Sequence, residues 1–282
     1  MNIYNTQEEI NKVIGHLKSQ QRSIGFVPTM GALHQGHLSL IKKGLQQNDT
    51  VVVSIFVNPT QFDNKEDLKK YPRTLEHDVE LLKTVSNDII VYAPSVEGVY
   101  GNNIVSTHFE YGGLEHQMEG RFRVGHFDGV GTIVKRLFEI VQPDRAYFGE
   151  KDFQQLRIIQ KLVENYKLSV KVIGCPILRA KDGLAMSSRN ERLKPNYRKA
   201  APFIYKTLKT AKKMFGTKSA KEVTEWVEKQ FEKHDLLTLE YFTIADIDTL
   251  KPLIRKSNKK QYRAFIAVFA DDIRLIDNIA LN

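Results

Sequence analysis

The chain has 282 residues, 41% of them hydrophobic and 27% charged, which is the composition of an ordinary soluble globular protein with room for one large or two modest domains. No apolar run reaches the roughly 18 residues that span a bilayer, and Met1-Asn2-Ile3-Tyr4-Asn5 lacks the basic-then-apolar pattern of a signal peptide, so no membrane partner is expected and the expected location is cytoplasmic. The net charge of +9 raises nucleic acid as a partner, and from Glu191 onward 19 Lys and Arg face 12 Asp and Glu, yet Lys212-Lys213 and the lysines of 256–260 have no interleaved aromatics, so a solvated basic face is preferred and no nucleic-acid partner is expected.

Up to residue 175, β-rich and helix-period stretches alternate, the grammar of βα units around a parallel sheet. A first strand is predicted over 23–28, followed by Met30-Gly31-Ala32-Leu33-His34-Gln35-Gly36-His37 and a helix over 38–46. A strand that ends in a glycine-bearing turn presents the N–H groups and positive end of the next helix, and two imidazoles one turn apart aim more donors at the same spot. The junction therefore reads as a nucleotide phosphate site. The same two histidines also read as a surface accident or as half of a zinc site, for which no further ligands follow nearby.

Further strands are predicted over 50–57, 88–93, 145–148 and 169–175, with an additional short one over 105–111, and helices over 75–85, 129–141 and 151–166. Cys175, the single cysteine, rules out an intrachain disulfide and reads in its apolar setting as a small buried hydrophobe. After a polar loop at 181–189 the pattern changes to helices over 197–215 and 219–234, then strands over 238–245, 263–269 and 273–277. The expected architecture is α/β: a parallel sheet over 1–175 and a second, smaller α+β domain over 176–282.

Four further segments fall at predicted strand ends or in the loop between the domains. In Asn58-Pro59-Thr60-Gln61, the Gln61 amide offers a donor and an acceptor without charge, suited to a ligand with a carboxylate beside hydroxyls, and reads equally as a turn glutamine. In Gly149-Glu150-Lys151-Asp152, Lys151 supplies positive charge for a phosphate and Asp152 an acceptor for ribose hydroxyls, or the pair caps a helix. Gln155 lies one turn beyond Asp152. Met186-Ser187-Ser188-Arg189 gathers two hydroxyls and a guanidinium, a compact donor set for a polyphosphate, and is also a common surface sequence. The stretch with Arg121, Arg123, His126 and Asp128 adds positive charge and a helix cap, and no chemical step is assigned to it.

In order, these segments resemble the pantothenate synthetase (pantoate–β-alanine ligase) family, in the nucleotidyltransferase superfamily with a His-x-Gly-His motif related to class I aminoacyl-tRNA synthetases. The match also takes in Tyr71-Pro72-Arg73-Thr74, Gly125-His126-Phe127 and Arg274-Leu275-Ile276-Asp277-Asn278. The resemblance implies a Rossmann-like N-terminal domain, a C-terminal lid, a homodimer, and condensation of pantoate with β-alanine to pantothenate, AMP and pyrophosphate through a pantoyl-adenylate, with ATP as substrate and Mg²⁺. It implies that Met30, Gly31, Ala32, Leu33, His34, Gln35, Gly36, His37, Gly149, Glu150, Lys151, Asp152, Met186, Ser187, Ser188 and Arg189 bind ATP, with Leu178 near adenine by its backbone. Gln61 and Gln155 would hold pantoate, and His37, with His34 and Lys151, would carry catalysis. His77 stands where some relatives have an acid, followed by Asp78, which matches, so no protein metal ligand is assigned. Rival readings are a nucleotidyltransferase acting on a phosphorylated alcohol, an aminoacyl-tRNA synthetase fragment, and a nucleic-acid-binding module with a vestigial nucleotide site.

Overall fold

Residues 1–62 and 65–282 are described by a computed structural model. The chain forms two compact units, Met1–Glu150 with Gln155–Pro176, and Lys151–Gln154 with Ile177–Asn282.

The first unit contains, in chain order, β1 (Asn2–Tyr4), α1 (Gln7–Ser19), β2 (Ile24–Thr29), α2 (Gln35–Gln47), β3 (Thr50–Ile55), α3 (Lys65–Lys70), α4 (Leu75–Lys83), β4 (Ile90–Tyr92), α5 (Val96–Tyr100), α6 (Met118–Phe122), α7 (His126–Val141), β5 (Arg145–Gly149), most of α8 (Phe153–Tyr166) and β6 (Lys171–Cys175). The six strands are all parallel, in the order β1-β4-β3-β2-β5-β6. Successive residues of β2 face opposite sides: Val27 joins Leu38 and Ile41 of α2 in one core, while Phe26 meets Phe138 of α7 edge-on, ring centres 6.2 Å apart. Helices therefore cover both faces, which is why β2 and β3 read as continuous apolar runs.

The strand order reverses beside β2, so the sheet's switch point lies between β2 and β5. There β2 pairs with β3 as far as Thr29 but with β5 only at Gly25 and Phe26. Pro28, which has no N–H to offer a ladder, lies in the part of β2 beyond the β5 pairing.

The second unit packs α10 (Phe203–Phe215) and α11 (Ala220–Glu232), preceded by α9 (Pro195–Ala200), with an antiparallel sheet of β7 (Leu237–Asp246), β8 (Tyr262–Ala270) and β9 (Ile273–Ala280). Ile204, Leu208 and Ala211 of α10 and Val223, Val227 and Phe231 of α11 share its core with Ile266 and Val268 of β8.

Three differences from the sequence reading have physical causes. No strand forms over 105–111: residues 101–108 are exposed, and the apparent alternation comes from two buried anchors, Phe109 and Tyr111. Phe109 N donates to Asp128 Oδ1 (3.0 Å), and the Tyr111 hydroxyl to Phe127 O (3.0 Å). The helix expected over 197–215 is split at Pro202, which has no N–H to continue the hydrogen-bond ladder, although Ala201 before it keeps helical angles. β1 and α1 were not anticipated, although Thr6 and Glu9 form a capping box and Ile10, Ile14 and Leu17 keep helical spacing on one buried face. Cys175 is buried, and burial pushes its thiol up from its ordinary value, as befits a small hydrophobe.

Candidate active site

The segment between β2 and α2 is built around a buried carboxylate. Asp78 of α4 is 0% exposed, its Oδ1 accepting from Leu33 N (2.7 Å) and Thr74 Oγ1 (3.3 Å), its Oδ2 from Ala32 N (3.0 Å). Gly31 and Ala32 both take left-handed backbone conformations, φ 79° and 48°. A side chain at Gly31 would come within 3.1 Å of Asp78 Oδ2 and 3.2 Å of Ile55, so close approach and conformation both require glycine there. Ala32 in this region costs about 1–2 kcal/mol. Charge-assisted hydrogen bonds contribute about 1.5–3 kcal/mol each, so the two from Ala32 and Leu33 outweigh that cost. Burial pushes the Asp78 carboxyl up from its ordinary value, and the bonds from Leu33, Thr74 and Ala32 pull it back.

The loop turns most of its own N–H groups inward. Gly31 N donates to Thr29 Oγ1 (3.2 Å), Gly36 N to His34 Nδ1 (3.0 Å) and His34 N to His37 Nδ1 (3.3 Å). This alters the donor set expected of the helix start: the histidines cap α2 reciprocally, and side chains provide the outward donors. Because each Nδ1 accepts a backbone N–H, each neutral ring carries its proton on Nε2. The rings stack at a tilt of 33°, with centres 4.1 Å apart.

Gln61 closes a 3-10 turn, Pro59–Gln61, just after β3. Asn58, 1% exposed, donates from Nδ2 to Gln61 Oε1 (3.2 Å) and to Gly129 O (3.1 Å). Its Oδ1 accepts from the Tyr100 hydroxyl (2.6 Å) and Thr60 Oγ1 (3.1 Å), which fixes the way the Asn58 amide faces. Gln61 Nε2 is thereby turned to Met30 Sδ, 2.8 Å away, bringing together two residues expected at the site. The Gln61 carbonyl receives His126 Nδ1 (2.8 Å) and Arg123 Nη2 (3.4 Å). Arg123 and His126, read in sequence as charge for an anionic ligand, thus brace the backbone under Gln61. At Gly129 a Cβ would lie 2.3 Å from Thr60 O, so only glycine lets α7 back this turn so closely.

Gly149 ends β5 and Glu150 follows; Gln155 is half-buried on α8 and takes no part in the Gln61 contacts. In the second unit, Lys151 is 17% exposed at its side chain and lies 3.3 Å from Asp152 Oδ1. Leu178 and Met186 flank a tight antiparallel turn in which Met186 N donates to Leu178 O (3.0 Å) and Ala180 N to Leu184 O (2.8 Å). Leu178, expected near adenine by its backbone, thus has its carbonyl engaged within this turn. Arg198 grips Asp182 at the turn's tip (2.6 Å), and Ser187 Oγ accepts Arg189 N (3.3 Å), capping a short 3-10 helix through Ser188 and Arg189. Capping uses Ser187 as an acceptor and leaves its O–H as a donor.

Sequence reasoning missed Asp78, Asn58 and Tyr100 as organisers of the site. Asp78 acts across 46 residues on Ala32, and only its place in the first turn of a helix after Tyr71-Pro72-Arg73-Thr74 marked it. Among the described residues no group of three His, Cys, Asp or Glu is placed to hold a metal ion, and both oxygens of Asp78 are taken by backbone donors.

Residues 2–280 match the family model described as Pantoate-beta-alanine ligase. The chain is 60% identical to the pantothenate synthetase of Flavobacterium psychrophilum over 281 residues, covering 100% of both. Solved structures similar to it include a Thermus thermophilus pantothenate synthetase, TM-score 0.92 at 40% identity over 100% and 99% of the two chains. Another is the Francisella tularensis pantoate-beta-alanine ligase complexed with beta-gamma ATP and beta-alanine, TM-score 0.81 at 35% identity over 100% and 98%.

Asp78→Asn keeps the volume but sets an NH₂ against the N–H of Ala32 or Leu33. It is expected to cost about 1–3 kcal/mol of stability and to speed hydrogen exchange at those two amides; unchanged protection there would show that Asp78 does not hold the loop.

Proposed function

The chain belongs to the pantoate–β-alanine ligase family, and on that premise we propose how its residues divide the reaction of ATP, pantoate and β-alanine to pantothenate, AMP and pyrophosphate. The match along nearly the whole chain sets aside the nucleotidyltransferase, synthetase-fragment and nucleic-acid readings. The observation that carries the assignment is the stacked, Nδ1-capped pair His34 and His37 at the end of β2, beside the sheet's switch point.

In the first step a carboxylate oxygen of pantoate bonds to the α-phosphorus while the α–β bridging bond breaks and pyrophosphate leaves with its electron pair. The substrate is its own nucleophile. The protein's task is alignment and charge neutralisation, in which preorganised donors are the largest contributors. We assign this to the Nε2–H groups of His34 and His37, to Lys151, and to Ser187, Ser188 and Arg189. The remaining ATP contacts fall to Met30, Gly31, Ala32, Leu33, Gln35, Gly36, Gly149, Glu150, Asp152, Met186 and, by its backbone, Leu178. The braced Gln61 amide and Gln155 would orient pantoate. Mg²⁺ would arrive as the counter-ion of ATP and keep mostly phosphate and water ligands, as this ion commonly does.

In the second step the neutral amine of β-alanine adds to the activated carbonyl, AMP leaves and the amine loses its proton. The phosphate leaving group makes a strong base unnecessary, but the mixed anhydride must be kept from water. We assign that protection to the second unit as a lid. Because Arg198 and the turn's internal bonds brace 178–186 within that unit, closure would involve the unit as a whole. The proposal also includes a cytoplasmic homodimer, for which the exposed Ile104 and Val105 are apolar surface in search of a partner.

With Mg-ATP, pantoate alone is expected to release one equivalent of pyrophosphate per site, and added β-alanine to restart turnover to pantothenate and AMP; no pantoate-dependent release from folded, ATP-binding protein would reject the assignment. His37→Ala is expected to slow the first phase by about 10² to 10³ beyond the loss of about 0.5–2 kcal/mol of stability that one cap bond costs, and a normal first phase from folded protein would remove His37 from the mechanism. Closure predicts that ATP slows proteolysis of the second unit, and equal cleavage with and without ATP counts against it. Sedimentation should show twice the monomer mass; a single monomeric species would exclude the dimer.

A further inference from the structure

The segment Arg274-Leu275-Ile276-Asp277-Asn278 is given no task by the reaction, yet it ends in two buried polar residues, Asp277 at 5% and Asn278 at 2% exposure. Polar groups in such a place are costly unless fully paired, and apolar residues would fill the sheet with less penalty. The pairing at these two positions is extensive. Asp277 receives Arg179 through both terminal nitrogens, at 2.6 and 2.9 Å, and the N–H of Asn278 at 2.7 Å. Arg179 also donates to Gly183 O (3.1 Å) and lies 3.6 Å from the centre of the Tyr205 ring. Asn278 Oδ1 accepts from Arg263 Nη1, and Asn278 Nδ2 donates to the backbone carbonyl of Lys151 (2.8 Å).

All of these groups belong to the second unit. Through Arg179, Asp277 grips the turn that begins at Leu178 and leads into Met186–Arg189. Asn278, the next residue on β9, grips Lys151. Two groups far apart in sequence are thus fastened to adjacent positions of one strand.

We propose that Asp277 and Asn278 are positioning residues that hold the Lys151 backbone in register with the Leu178–Arg189 turn before ATP binds. The ammonium of Lys151 sits on a flexible four-carbon stem, and anchoring its backbone removes part of the search the stem must make. The inference rests on the assignment of Lys151 and of Ser187–Arg189 to the ATP phosphates. Asp277 and Asn278 act through those groups and touch no reacting atom.

Asn278→Asp tests it, since it keeps an acceptor for Arg263 and replaces the donor to Lys151 by a carboxylate oxygen, which repels that carbonyl. Single-turnover pyrophosphate release with pantoate, normalised to titrated active sites, is compared for the parent, Asn278→Asp, Lys151→Ala and the double variant. Asn278→Asp is expected to slow adenylation about tenfold, against the roughly 10²-fold that a 1 Å misplacement can cost. In the Lys151→Ala background it should cause no further loss, because the group it positions is gone. Asn278→Ser, smaller and uncharged, carries the same expectation should Asn278→Asp fail to fold. An equal loss in both backgrounds, or a lowered active fraction with the parent rate per site, would overturn the inference. If Lys151→Ala itself adenylates at the parent rate, the phosphate role of Lys151 falls and the inference with it. Impaired Lys151→Ala beside a parent-like Asn278→Asp would sink the inference alone.

Discussion

A buried carboxylate behind the β2–α2 loop is the constraint on which the site depends. A loop of the kind we assign to polyphosphate would ordinarily be kept clear of negative charge, yet Asp78 lies directly against Gly31, Ala32 and Leu33. Its charge is directed to the backbone N–H groups of Ala32 and Leu33, and its burial excludes the water that would compete for them. With those donors committed inward, and with Gly36 and His34 N–H committed to imidazole nitrogens, the loop is closed on itself. The two rings that cap α2 have their tautomer set by the same bonds, and it is to their Nε2–H groups that we assign the phosphate contacts.

The amide of Gln61 is organised on the same principle. An amide can rotate to exchange its donor and acceptor, so its use in recognition requires that one orientation be fixed. Asn58 fixes it, and Tyr100 and Thr60 fix Asn58 in turn. Beneath, the Gly129 backbone and the His126 and Arg123 side chains hold the turn by its main chain. The second unit repeats the pattern with Asp277 and Asn278. In each case a buried polar residue is paired to the main chain or side chain of a neighbouring residue that we assign to the ligand.

Much of the fold was legible because burial on both faces of a parallel sheet writes itself as unbroken apolar runs, and every strand predicted in the first unit other than 105–111 lies where one of β2 to β6 forms. Errors arose where local pattern had a second cause. Phe109 and Tyr111 alternate like strand residues but are plugs against α7, and the helical period on both sides of Pro202 conceals the missing N–H that divides it. The capping box at Thr6 was readable and simply carries less weight in a pattern search than a long apolar run. Among the site residues, Met30, His34, His37, Gln61 and Lys151 stood out because they fall in the turns that follow predicted strands.

Sequence alone determined the alternation of strands and helices, the change of grammar after the loop at 181–189, and the ordered motifs that mark the family, since each of these is carried by neighbouring residues. Tertiary structure decided which polar residues hold the others in place. Asp78 meets Ala32 across 46 residues, Asn278 meets Lys151 across 127, and Arg179 meets Asp277 across 98. An aspartate bound for a buried backbone and one bound for solvent look alike in a sequence. What separates them is the low-dielectric surroundings and the partner donors that only the folded chain assembles.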